Sequence, residues 1–379
     1  MTTVATKETG ADTEPPEAQA TEPDPDEPAV EEADAPRRIR SADADDRIAQ
    51  VGSAAGSLGL VWILYHRVLP TEGLLGFVLC WWIAFLLLYA LVTVQRHGRV
   101  VLVDRIAAAV VRSAAVVVAA ALVTVIAYTF WRGGEALVHA NFYTEDLVFD
   151  DSTDLSQGGI RHAIVGTLEM MGLSIAFTLP LGVACAVFLS EVRGRLSRIV
   201  RTIVEAMTAL PSIAAGLFIL VALILALGVE QSGLAASLAL SVMMLPIITR
   251  AADVGLRLVP GGLREASLAL GASQWRTVWH VVLPTARPAL ATALIIGVAR
   301  GVGETSPVVL TAGYTNFLNA NPLSGWQTSL PPFIYNNARL PEEEMVVRAF
   351  GAASVLLTIV LILFVISRII ATHRGGRRS

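Results

Sequence analysis

The sequence predicts an all-α integral membrane protein, and three observations carry that prediction. Of 379 residues, 54% are hydrophobic and only 16% are charged, against about 25% charged in a soluble globular chain. The apolar residues fall in runs of the length that crosses a bilayer, about 20 residues at ~1.5 Å each. Arginines gather in alternate gaps between those runs. Backbone groups in hydrocarbon have to be paired within their own segment, which makes such runs helices.

Residues 1–46 precede the first run. They hold 14 acidic and four basic residues, much Pro and Ala, and no aromatic side chain. Such a segment buries too little apolar surface to offset its ordering entropy, so it reads as a disordered acidic tail. Its start is neither basic nor followed by an apolar core, unlike a signal peptide. The formal charge of −4 therefore averages two unlike parts, since 24 basic residues outnumber 18 acidic ones in the rest of the chain.

Eight candidate spans follow: 52–69, 74–94, 107–130, 163–189, 211–228, 233–256, 288–312 and 349–371, the first being Gly-rich and weakest. Three gaps and the C-terminus are arginine-rich. They hold Arg96, Arg99 and Arg105; Arg193, Arg195, Arg198 and Arg201; Arg257, Arg264, Arg276 and Arg287; and Arg374, Arg377 and Arg378. The alternate gaps, 131–161 and 313–348, carry mainly acids, among them Asp146, Asp154 and Glu342–Glu344. The positive-inside rule places both termini in the cytoplasm, consistent with an even number of spans.

Several function classes drop out. The only lysine is Lys7, in the tail, so no phosphate-cradling P-loop exists. Cys80 and Cys185 lie singly inside apolar runs and read as packing residues, with no metal implied. The six histidines show no metal-ligand or triad spacing and read as interfacial. No metalloprotease motif, nucleophile elbow or paired catalytic carboxylates point to an integral enzyme. A secondary transporter would show repeated broken helices, and no convincing pair appears. Nucleic acid is not an expected partner.

The gap 257–287 is the most informative stretch. Pro260-Gly261-Gly262 break the preceding span, Leu263 to Leu270 reads as a short helix, and Gly271 as its C-terminal cap. Ser273 reads as the N-cap of a second helix with Trp275, Val278, Trp279 and Val282 on one face. Pro284 and Pro288 frame the start of the next span. Amphipathicity alone fits helices resting on lipid headgroups as well as helices docked on a partner.

Glu265-Ala266-Ser267, three residues, Gly271, nine residues, then Val281-Val282-Leu283-Pro284 resembles the EAA signature of ABC-importer permeases. Ser267 and Val281 depart from its Ala and Ile conservatively. The resemblance implies a type I ABC-importer transmembrane domain, a six-helix core at 107–373 with about two extra N-terminal helices at 47–106. It implies that Glu265, Ala266, Gly271, Leu283 and Pro284 belong to a loop that docks on a separate ATPase. This chain would then have no ATPase site of its own, and ATP and Mg would enter only through that subunit.

Further stretches resemble the PstA-type permease of the phosphate ABC transporter. They are Gly166-Thr167-Leu168, Phe188-Leu189-Ser190-Glu191, Leu210-Pro211-Ser212-Ile213, Leu245-Pro246-Ile247-Ile248, Leu330-Pro331 with Ile334-Tyr335, and above all Ala299-Arg300-Gly301-Val302-Gly303-Glu304-Thr305-Ser306-Pro307 followed by Leu310-Thr311-Ala312-Gly313. The likeness covers about residues 107–371. It implies a bacterial inner-membrane protein with a PstC-type second permease, two copies of a PstB-type ATPase and an external PstS-type phosphate-binding protein. The alternative within the class is a permease for molybdate, tungstate or sulfate.

Arg300 and Glu304 stand four residues apart in an otherwise apolar stretch. A charge deep in a span costs at least ~2.5–3.5 kcal/mol on insertion scales and normally faces a pathway or a partner. From the residues alone, two readings stand: mutual neutralisation in helix packing, or a pathway contact. The resemblance implies the second, with Arg300 presenting its fork of donors to an anion. Gly297, Gly301 and Gly303 would let a helix or ligand approach. Glu205 reads as a solvated interfacial carboxylate, and Glu169 has no evident partner.

Overall fold

The computed structural model describes residues 44–68, 73–96, 98–147, 154–192 and 194–372. The disordered tail expected at 1–46 falls outside these residues as far as residue 43. Contacts divide the chain into two units, Met1–Val117 and Val118–Ser379.

In the first unit, α1 (Ala44–Ile63) ends in a π turn (Leu64–Val68), followed by α2 (Leu74–Arg96) and the start of α3 (Arg99–Leu137). Helix α1 starts earlier than its apolar run, and a polar centre explains why. Asp46 is buried and accepts from Tyr89 Oη at 2.7 Å and Gln50 Nε2 at 3.0 Å, with Arg105 Nη1 at 3.2 Å. The gap expected at 95–106 is almost entirely helix. Arg99 and Arg105 sit on α3, and Arg105 is spent on Asp46 rather than left in a loop. Asp46, Tyr89, Gln50 and Arg105 thus satisfy one another, as an apolar setting requires.

The second unit contains the rest of α3, α4 (Asn141–Thr144), α5 (Arg161–Glu191), α6 (Arg195–Thr208), α7 (Ser212–Ile219), α8 (Gly233–Arg257), α9 (Gly261–Ala269), α10 (Gln274–Thr277), α11 (Leu283–Val302), α12 (Ser306–Ala312), α13 (Leu330–Asn337) and α14 (Glu343–Thr372). Among the described residues, seven helices are long and apolar enough to cross a membrane, or eight if a bent pair counts as one. That pair corrects the span expected at 211–228. Residues 195–208 and 212–225 meet at 105°. The 14 residues 212–225 reach only about 21 Å, short of a ~30 Å hydrocarbon core. Pro211, extended at φ −60° and ψ 143°, makes the corner.

Helix α5 runs the depth of this unit and contributes to three successive apolar clusters. Ala163 packs with Phe142, Leu330 and Phe333 at one end. Met170 and Met171 pack with Met244, Ile248 and Val302 in the middle. Ala186 packs with Ala252, Leu256 and Val282 at the end that carries residues 257–282. At the opposite end, polar side chains pin the connecting loops. Asp146 accepts from Arg161 Nε at 3.1 Å and from the Leu318 amide at 2.8 Å. Burial alone would raise its carboxyl, but those two donors outweigh it and hold the group below the usual carboxylate range. Arg348, at the end of the acidic gap 313–348, is buried and donates to the carbonyls of Asp154 and Gln157. His162 stands at the start of α5. It is buried, its ring 5.6 Å from that of Phe333.

Candidate functional site

Helix α11 owes its position to glycine. A Cβ on Gly297 would lie 2.5 Å from Ile248 Cγ1, and one on Gly301 would lie 2.6 Å from Met244 Sδ, so both residues let α11 press against α8. Gly303 meets nothing within 4 Å. A neighbouring face of α11, with Thr292, Ile296 and Arg300, is open.

The run expected at 288–312 is two helices. Helix α11 stops at Val302, and α12 restarts at Ser306 with Pro307 in its first turn, where a missing N–H does no harm. Glu304 lies in the break and its amide donates to Gly301 O at 3.2 Å. Its carboxylate turns back to Arg300, with Nη1 and Oε1 2.8 Å apart. The two side chains are unequally placed: Arg300 is 54% exposed and Glu304 only 9%. Glu304 borders a small cavity with Thr167, Met170, Leu240 and Ser329. One partner thus anchors, and the other presents free donors outward. Glu169, which had no evident partner, accepts from Gln327 Nε2. Glu205 is exposed on α6.

A second cation was missed. Arg250 is exposed on α8, beside a cleft of about 650 Å³ lined by Thr208, Val254, Leu258, Thr292 and Ile296. The hydroxyls of Thr208 and Thr292 donate to Glu205 O and Pro288 O in their own helices, so Arg250 supplies the free donors. Asp253, one turn on, is taken by Arg201 at 2.8 Å and Arg257 at 3.1 Å. Arg250 was legible as a charge inside the apolar run 233–256. Ile296 lines the cleft one turn before Arg300, so the two arginines bracket one open face of the α8–α11 pair.

At the end beyond Arg250, α9 and the turn after it stand out from the bundle. Gly271 has φ +80°, and a Cβ added there would meet nothing within 4 Å. Glu265, Ala266 and Gly271 are exposed together, flanked by Leu268, Leu270, Trp275 and Trp279, which are 49–89% exposed. Ser273 Oγ caps α10 through the Arg276 amide. The single apolar face expected for the second helix divides. Val278 and Val282 are buried, whereas Trp275 and Trp279 face outward with rings 5.5 Å apart. That helix also does not end at Pro284. Residues 274–302 continue through a π turn (Val278–Val282) into α11. Leu283 and Pro284 are half-buried in this junction, Leu283 packing on the Ala186 cluster, and so stand apart from the exposed group.

The profile of the binding-protein-dependent transport system inner membrane component family matches residues 178–375. The chain belongs to this family. The matched segment contains Arg250, the exposed turn at Gly271, Arg300 and Glu304. Phosphate transport system permease protein PstA 1 of Mycobacterium tuberculosis (strain CDC 1551 / Oshkosh) is 37% identical over 259 residues, 67% of this chain and 84% of that protein. PstA of Mycobacterium leprae (strain TN) is 36% identical over 240 residues, 63% of this chain and 79% of that protein. The inward-facing MetNI methionine ABC transporter is 22% identical over 57% of this chain and 94% of the solved chain, with a TM-score of 0.45. As an inner membrane component of this family, the protein is an all-α, multi-pass permease subunit.

Proposed function

We propose that the chain is a transmembrane permease subunit of an ATP-driven phosphate importer. One observation carries the anion reading: Arg300, a half-exposed guanidinium held by a buried Glu304 on the open face of an apolar helix. Arginine stays protonated, and its planar fork matches the oxygens of a tetrahedral oxyanion. Relatives at 36–37% identity are phosphate permeases, which supports phosphate as that anion.

Arg300 receives the anion from an external PstS-type binding protein, and Arg250 meets it at the far end of the same face. A PstC-type permease supplies the other half of the pathway. The exposed segment at Glu265, Ala266 and Gly271 docks on a PstB-type ATPase, one of two copies, which binds ATP and Mg and performs the hydrolysis. The end with Arg198, Arg201, Arg257, Arg264 and Arg276 faces the cytoplasm, and so do both termini.

The test is ATP hydrolysis by the purified complex with its binding protein. Phosphate should stimulate it several-fold and sulfate should not. Stimulation by sulfate or molybdate instead would assign another oxyanion, and stimulation by none would sink the proposal.

A further inference from the structure

Two arginines tie the ends of α5 and α8 together at the docking end, and they come from different helices. Arg201, on α6, donates to Leu189 O of α5 at 3.3 Å and to Asp253 of α8 at 2.8 Å. Arg264, on α9, has its Nε 3.3 Å from Glu191 Oε1 of α5 and donates through Nη2 to Leu256 O of α8 at 2.9 Å. The first bridge is internal to the bundle. The second starts next to Glu265, in the segment that stands out of it.

The Arg264–Glu191 contact is well shielded, with side chains 24% and 16% exposed. At 3.3 Å it is an ion pair without hydrogen-bond alignment, and neither Arg264 Nε nor Glu191 Oε1 has another partner among the described residues. Separating the pair would strand two shielded charges, which is far less favourable than moving both together. A displacement of α9 is therefore passed to the ends of α5 and α8. Those two helices then bear on α11 through Ile248 at Gly297 and through Met244 and Met171 at Gly301, next to Arg300.

We infer that the Arg264–Glu191 pair is the positioning contact through which the ATPase-docking segment drives the transmembrane helices. The inference rests on the importer reading above. It gives Arg264 a mechanical role distinct from the exposed docking residues beside it.

The experiment is a double-mutant cycle on the purified complex, with Glu191→Gln, Arg264→Gln and the pair combined. The readout is the ratio of ATP hydrolysis with phosphate to that without it, together with phosphate moved per ATP. Each single variant should bring the ratio close to one, and the double variant should lower it no further. Arg264→Lys, which keeps a cation facing Glu191, should retain most of the stimulation. Single variants with the wild-type ratio, losses that multiply in the double variant, or a Lys variant as impaired as Gln would overturn the inference. Gln variants that fail to assemble would reduce the contact to a folding one and overturn it as well. A wild-type complex that phosphate does not stimulate defeats the importer reading itself, and this inference falls with it.

Discussion

Arg300 and Glu304 show how a charged pair in a membrane helix becomes a polarised device. Both charges could have been buried for mutual neutralisation, but the break after Val302 buries only the carboxylate and leaves the guanidinium 54% exposed. Arg300→Gln should therefore cut phosphate uptake roughly 10–100-fold, the scale of one or two hydrogen bonds to a charged group, while the complex still assembles. Arg300→Lys should fall between, since it keeps the charge and loses the planar fork. Uptake assays in membranes with matched protein levels check both, and normal uptake by the Gln variant would remove Arg300 from the pathway. The spacing of this pair was legible because two charges four apart stand out in an apolar stretch. Arg250 was equally visible but lies inside a run that its length alone marks as a span. Which of its faces was open depended on α11 packing against α8, which no local pattern reveals.

At the scale of elements, Gly271 separates conformation from packing. Its φ of +80° is a region that L side chains enter only at a cost of about 1–3 kcal/mol, yet no atom of the chain lies within 4 Å of where a Cβ would stand. Gly271→Leu should leave the bundle folded, with a thermal midpoint lowered by a few degrees at most. It should also lower the phosphate moved per ATP, because the added side chain would project into the proposed docking surface. Intact coupling in that variant would argue against docking at this turn. The turn was legible from Gly271 and Ser273, residues with a specific backbone task. The elements on either side were less so. Pro284 read as a helix boundary, but the π turn at Val278–Val282 shifts the hydrogen-bond ladder just ahead of it, so the helix passes through. The run 288–312 hid a break because Gly303, Glu304 and Thr305 are too few to interrupt an apolar average. Its position comes from the Arg300 contact and the restart at Pro307.

For the whole molecule, the proposed topology rests on the bent pair at 195–225 as one crossing. Among the described residues seven helices are long and apolar enough to cross, an odd number that would put the termini on opposite sides, and the α6–α7 pair, counted as one crossing, would make the number even. Helix α6 is a poor spanning element by itself. It carries Arg195, Arg198 and Arg201 and lies at the same end as Arg257 and Arg264, with Arg201 tied to Asp253 there. It fits an interfacial helix that turns at Pro211 into a short crossing. The short reach of residues 212–225 can be met by local thinning of the bilayer, a modest cost per ångström. The proposed cytoplasmic placement of the arginines needs this crossing, because without it those near α3 and those near α9 would fall on opposite sides. Single cysteines placed at residue 5 and at residue 377, with Cys80 and Cys185 replaced, test the point. A membrane-impermeant thiol reagent should label neither in intact cells and both after permeabilisation. Labelling of one terminus alone from outside would mean that residues 212–225 re-enter on the side they left. The docking segment and one of the two termini would then lie on opposite faces of the membrane.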